Sequence, residues 1–219
     1  IKGYVPSQIS SIILSKLKDY TSGVKKAVVT VPAMFHETAR AATLDAAKLA
    51  GLDVELINEP TAAVLHYANL PGVSINGRVL IFDLGGGTFD ISIANVKGKK
   101  VDVITSVGDK HLGGRRFDEE IINILDKKYK KAKGKGLDNP LKDEKLFTIA
   151  ERIKKILSNK EKATEVIEGP KGPHKIDVSR KEFEDSIDTY VEKIKMLMEE
   201  ALERADCKPN NISQTLLVG

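Results

Sequence analysis

A chain of 219 residues, 41% hydrophobic and 30% charged, has apolar side chains enough for one large domain or two packed subdomains, and is too apolar for an intrinsically disordered segment. Its 35 basic and 31 acidic residues leave a formal net charge of +4 and are interspersed, so no single-sign field marks it as a nucleic-acid binder. The lone Cys207 cannot close an internal disulfide, and the opening Ile1-Lys2-Gly3-Tyr4-Val5-Pro6 has neither a secretory-signal pattern nor an apolar run of bilayer length, so a soluble cytoplasmic or organelle-matrix protein without a membrane partner is expected.

From Pro6 to Tyr20, Ile9, Ile12, Ile13 and Leu17 recur at spacings of three and four behind a proline suited to a first helical turn, which predicts an amphipathic helix. Ala27 to Val31 is a β-branched run ended by Pro32, and the alanine-rich stretch Thr38 to Leu49 stops at Gly51, so strand then helix is expected. Val54 to Ile57 repeats the strand signal, and Pro60 opens a second helical stretch, Thr61 to Tyr67. This alternation predicts an α/β layer. The turn-rich segment Pro71 to Gly77 separates it from strand-like runs at Val79 to Phe82, Phe89 to Ala94 and Val101 to Thr105, and a lobe boundary is placed there.

Beyond Gly114 the pattern changes to helices over Phe117 to Lys131 and Pro140 to Leu157, joined by Ala132 to Leu137, which reads as a helical insertion. Thr164 to Ile167 and Lys175 to Val178 flank the turn Gly169-Pro170-Lys171-Gly172-Pro173 as a hairpin, and Ser179-Arg180-Lys181-Glu182 has capping-box spacing for a helix reaching about Ala205. Thr215 to Val218 reads as an apolar strand stopped at Gly219; with no starting methionine either, the chain is expected to be a fragment.

The segment Val79 to Ile93 carries the most chemical meaning, because two apolar strands meet there through Gly85, Gly86 and Gly87. Without Cβ atoms, successive backbone N–H groups can face a common point and form a nest for phosphate oxygens. Asp83 leaves the strand beside that nest and could hold water on a divalent cation, since magnesium keeps several of its waters; Thr88 adds a hydroxyl and Asp90 a second carboxylate. A Walker loop needs a lysine followed by serine or threonine and then a helix, and a dinucleotide fingerprint also opens a helix. A strand follows here, which selects a phosphate hairpin of the actin, hexokinase and heat-shock ATPase kind. His36, His66, His111, His174 and Cys207 lack metal-ligand spacing.

Asp83-Leu84-Gly85-Gly86-Gly87-Thr88-Phe89-Asp90 resembles the second phosphate motif of the seventy-kilodalton heat-shock chaperones, and Ile57-Asn58-Glu59-Pro60-Thr61-Ala62-Ala63 resembles their hinge motif. Val31-Pro32-Ala33, His111-Leu112-Gly113-Gly114 and Glu151-Arg152-Ile153-Lys154-Lys155-Ile156-Leu157-Ser158 fall in the same order, so the resemblance covers essentially the whole chain. It implies an α/β actin-like ATPase (ribonuclease H-like) fold: a first-lobe remnant over residues 1–76, a second lobe over 77–112 and 188–219 with a five-stranded type of sheet, and a helical subdomain over 113–187.

The resemblance also implies ATP or ADP as ligand. Glu59 would position the attacking water, Asp83 would support hydrated Mg2+, Thr88 would contact the γ-phosphate region, and Asp90 would lie near a monovalent cation such as K+. Gly113 and Gly114 match positions that approach the nucleotide, Glu151, Lys154, Lys155 and Ser158 match the face that holds ribose and adenine, and the adenosine motif begins at Gly219. Partners implied are unfolded polypeptides, bound through a domain absent here, a J-domain cochaperone and a nucleotide-exchange factor. The family usually has arginine at Lys155, acidic residues at Arg115 and Arg116, and a basic residue at Glu55, the last of which puts the J-domain contact in question.

The family's first phosphate loop and first-lobe catalytic lysine have no match here, so the isolated chain is expected to be nearly inactive as an ATPase. A weakly hydrolysing exchange partner of the same superfamily, an actin-like filament protein and a sugar or glycerol kinase are the competing readings, disfavoured by Glu59, Asp83 and Thr88 and by the hinge and paired-glycine motifs.

Overall fold

Proline at the first helical position starts α1 (Pro6–Asp19), in a computed structural model that describes residues 3–21 and 23–219. Ile1 and Lys2, part of the segment weighed as a signal sequence, lie outside the described residues. A parallel pair follows, β1 (Lys26–Val31) and β2 (Asp53–Asn58), with α2 (Glu37–Leu49) as the crossover that parallel strands require. Its register runs from Lys26 opposite Asp53 to Val31 opposite Asn58. Gly51 ends α2 in the left-handed region (φ 67°), where the next amide, Leu52 N, closes back on Ala47 O at 2.9 Å. Glu59 and Pro60 then open α3 (Glu59–Ala68) directly after β2.

The apolar runs on either side of the glycine triplet become β3 (Gly77–Leu84) and β4 (Phe89–Lys97), followed by β5 (Lys100–Asp109). Next come α4 (Gly114–Lys133), α5 (Glu144–Leu157), β6 (Lys162–Ile167), β7 (His174–Ser179), α6 (Arg180–Arg204) and β8 (Ile212–Val218). Strands β3, β4, β5 and β8 form one sheet in the order β5-β4-β3-β8. That is four strands where a five-stranded type is expected, because the remaining strand-forming runs pair among themselves, β1 with β2 and β6 with β7.

The chain folds into two compact units: residues 1–82, 90–107 and 201–218 form one, and 83–89, 108–200 and 219 the other. In the first, Val64 of α3 packs with Ile75, Val79, Ile81, Ala94, Val96 and Leu216, a core built from continuous apolar strand runs buried on both faces. Arg78 caps the end of α6 by donating to Ala205 O and Asp206 O, both at 3.0 Å. Helix α1 departs from the simple amphipathic expectation. It packs against α2, yet Ile12, Ile13 and Leu17 are more than half exposed.

The second unit is centred on Ile121, Ile122, Leu125 and Tyr129 of α4, Phe147, Ala150, Ile153 and Leu157 of α5, and the inward side of the antiparallel β6–β7 hairpin. The helix expected from Pro140 is interrupted: Pro140–Lys142 is a single 3-10 turn, and the Asp143 carboxylate accepts from Lys145 N at 2.9 Å and starts α5 at Glu144. An aspartate able to take a helix amide sets a boundary that apolar periodicity does not reveal. The capping box forms as its spacing predicts, with Ser179 N donating to Glu182 Oε2 at 2.9 Å and Glu182 N to Ser179 Oγ at 3.2 Å. Among the described residues no helix is long and apolar enough to cross a membrane.

Candidate functional site

A helix begins with amides that have no partner inside it. At the start of α4 two of these are taken by the glycine hairpin: Gly114 N donates to Gly85 O at 2.9 Å and Arg115 N to Gly86 O at 2.8 Å. In a trans peptide the carbonyl and the following amide point in opposite directions. Turning the Gly85 and Gly86 carbonyls toward α4 therefore turns the amides of Gly86 and Gly87 away from it, and neither donates to an acceptor among the described residues. The turn is closed from the other side by Gly85 N donating to Thr88 O at 2.9 Å.

Glycine is needed in this cluster for space more than for unusual backbone angles. Gly85, Gly86 and Gly87 all lie outside the left-handed region, so the turn does not call on glycine for its backbone angles. A Cβ on Gly86 or Gly87 would meet nothing within 4 Å, and both residues are exposed. Gly113 is the crowded position: a Cβ there would stand 2.7 Å from Gly87 C and N and 2.8 Å from Gly85 O. Gly219 backs onto the stem of the same turn, where a Cβ would collide with Leu84 O.

An open pocket of about 180 Å³ adjoins Gly86 and Gly87, with Lys110, His111, Arg115, Arg116 and the acidic Glu119 around it. Both arginines are committed to neighbours. Arg115 lies over the Phe147 ring at 3.8 Å, while Arg116 donates to His111 O at 3.0 Å and to Glu119 Oε2 at 2.7 Å.

Asp83 sits near the end of β3, half-buried and without a partner among the described residues, and burial pushes its carboxyl above the usual range. Thr88 is exposed at the turn. Glu59 and Asp90 belong to the first unit. There Glu59 is the first residue of α3, and Asn58 before it is held by Arg40, whose Nη2 donates to Asn58 Oδ1 at 2.6 Å while its Nε donates to Phe35 O at 3.1 Å. Arg40 was not anticipated, since the pairing depends on α2 lying beside the end of β2. Glu55 is exposed opposite Val28, and with it lines an open groove over β1 and β2.

The four residues expected to share one helical face divide in the structure. Glu151 and Lys155 form an ion pair at 2.7 Å and line an open groove of about 540 Å³ with Thr148, Arg152 and Ile156. Lys154 instead turns toward α4, standing 2.7 Å from Asp118 Oδ1 and donating to Gly114 O at 3.1 Å. Ser158, at the end of α5, donates to Lys154 O at 3.3 Å. Asp118 was missed by sequence reasoning, because its partner is on another helix. Burial pushes its carboxyl up, against the opposing pull of Lys154. In comparison with known families, the model described as Hsp70 protein matches the chain over residues 1–219.

Proposed function

The chain belongs to the Hsp70 family of chaperone ATPases, and from that footing we propose that it is part of the domain through which a chaperone's ATP state governs its hold on unfolded polypeptides. The observation that carries this reading is the pair of outward amides at Gly86 and Gly87, on a turn whose carbonyls are fixed by the start of α4. Two adjacent N–H donors facing open space suit phosphate oxygens, and the basic residues around the adjoining pocket favour the same charge.

Asp83 fits the outer sphere of a magnesium ion, being a half-buried carboxylate without a protein partner among the described residues. Magnesium keeps several of its waters, so a single carboxylate can serve it without a gathered cluster of ligands. Bound Mg2+ neutralises phosphate charge during transfer. By the family resemblance, Asp83 would hold water on such an ion, Thr88 would donate toward the γ-phosphate, Glu59 would align the attacking water, and Asp90 would serve a monovalent cation such as K+. Hydrolysis is an in-line attack in which positioning and electrostatics contribute most of the acceleration. Glu151, Lys154, Lys155 and Ser158 receive ribose and adenine. The lobe assignment follows the family: 1–76 in the first lobe, 77–112 with 188–219 in the second, and 113–187 as its helical subdomain. A J-domain cochaperone and an exchange factor act on the full protein, the former altered by Glu55.

Calorimetric titration of the chain with Mg·ADP tests the proposal. Saturable binding at one site is expected, with a matching rise in melting midpoint. No binding heat and no melting shift at millimolar Mg·ADP would overturn it.

A further inference from the structure

Asp118 lies one turn into α4, 9% exposed, and a carboxylate so buried requires compensation. The compensation comes from α5. Lys154 Nζ stands 2.7 Å from Asp118 Oδ1, donates to Gly114 O at 3.1 Å, and lies 3.3 Å from where a Cβ of Gly114 would be. An ammonium has three N–H donors. One N–H goes to Gly114 O, and the Asp118 carboxylate stands against the same nitrogen as an ion pair, which leaves the ammonium N–H capacity for a ligand. Glu151 and Arg115 are the other charged groups felt by Asp118, and both are committed elsewhere, to Lys155 and to Phe147 with Glu144.

Gly113 and Gly114 have no side chains with which to anchor the first turn of α4, and a first turn is the part of a helix that frays most readily. Yet this turn holds the carbonyls of Gly85 and Gly86. Lys154 ties it to α5 through the Gly114 carbonyl, next to the fully buried Ile153, while Arg115 lies over the Phe147 ring from the same turn. We propose that Asp118 is a positioning residue for nucleotide binding, holding the Lys154 ammonium on the Gly114 carbonyl and so fixing both the free N–H of Lys154 and the turn that orients the glycine hairpin. The proposal rests on the nucleotide reading of the site.

The test is a double-mutant cycle in the 219-residue chain with Asp118→Asn, Lys154→Met and the double variant, reading Mg·ADP affinity alongside amide exchange at Gly114 and Arg115. Misplacing a binding group by about an ångström costs up to about a hundredfold, and Asp118→Asn, which keeps the side chain's shape, is expected to weaken binding about tenfold. The double variant should bind no more weakly than Lys154→Met alone, because Asp118 acts through Lys154. Amide exchange at Gly114 and Arg115 should quicken in each single variant. Wild-type affinity in Asp118→Asn, or losses that multiply in the double variant, would overturn the proposal. A general packing role would also give multiplied losses. If Asp118→Asn does not fold, unchanged exchange in Lys154→Met overturns it equally. A wild type that binds no Mg·ADP removes the nucleotide reading instead, and the exchange data then still decide whether this ion pair fixes the turn.

Discussion

Replacing Gly113 with alanine would place a methyl group 2.7 Å from Gly87 C and N and 2.8 Å from Gly85 O, all of them backbone atoms that cannot rotate aside. Backbone strain is not the cause, since Gly113 has an extended φ of −179° that any residue adopts. For the contact to become ordinary the hairpin must retreat from α4 by about 0.7 Å. The hydrogen bonds from Gly114 N to Gly85 O and from Arg115 N to Gly86 O, now 2.9 and 2.8 Å, would then exceed bonding distance. Two lost hydrogen bonds cost about 2 kcal/mol and residual overpacking about 1–3 kcal/mol, against about 0.5 kcal/mol gained by restricting the unfolded chain. The net loss is about 2.5–4.5 kcal/mol, or a fall in melting midpoint of roughly 5–18 °C for a chain of this size. Gly86→Ala and Gly87→Ala are the matched controls: their methyls enter open space and neither position has positive φ, so melting should stay within about 2 °C of wild type. Their Mg·ADP affinity should nevertheless fall at least about tenfold, as the methyl occupies the space in front of the outward amides. Calorimetric melting and titration of the three variants would decide the matter. A Gly113→Ala chain that melts and binds like wild type would refute the crowding argument, and a Gly86→Ala chain with intact affinity would refute the assignment of the amides to phosphate.

Asp83→Asn should raise the melting midpoint at neutral pH while weakening Mg·ADP binding: burial raises the folded-state pKa, so the ionised carboxylate costs stability above that pKa, and the gain should vanish as acid protonates the wild type. Lys193 pairs with Asp109, and that hydrogen bond, with one from the His111 amide, holds the Asp109 carboxyl below its usual range. The stability this contributes is fully present above the unfolded value of about 3.9 and is lost as pH falls through the depressed folded value, so Lys193→Met should melt lower than wild type at pH 7 and converge with it in acid melts. Tyr129→Phe removes a hydroxyl that donates to Gly172 O at 2.8 Å and accepts from Lys171 N at 3.0 Å. It should cost about 1–3 kcal/mol and speed amide exchange in the Gly169–Pro173 turn, while leaving nucleotide affinity unchanged.

Local chemistry was legible because it acts over a few residues. Gly51 ends α2 and Ser179 with Glu182 opens α6, as their types and spacing require. Strands on both sides of Gly85 to Gly87 are enough to exclude the helix-opening phosphate motifs. The interrupted helix at Asp143 shows the limit of periodicity: a single side chain able to accept a helix amide moved the boundary.

The sequence by itself determined the α/β alternation, the place of the glycine hairpin and the chemical types of the residues around it. Only the tertiary structure decided that Gly113 needs to be glycine, that the Gly86 and Gly87 amides face outward, and that Lys154 leaves the helical face of Glu151 and Lys155 to meet Asp118 and Gly114. Helical periodicity assigns a residue to a face, but which neighbour that face meets depends on how the buried side chains of α4 and α5 pack. Lys154 and Gly114 are forty residues apart. At that separation no local spacing rule applies, and the contact exists only because a common core brings the two helices together.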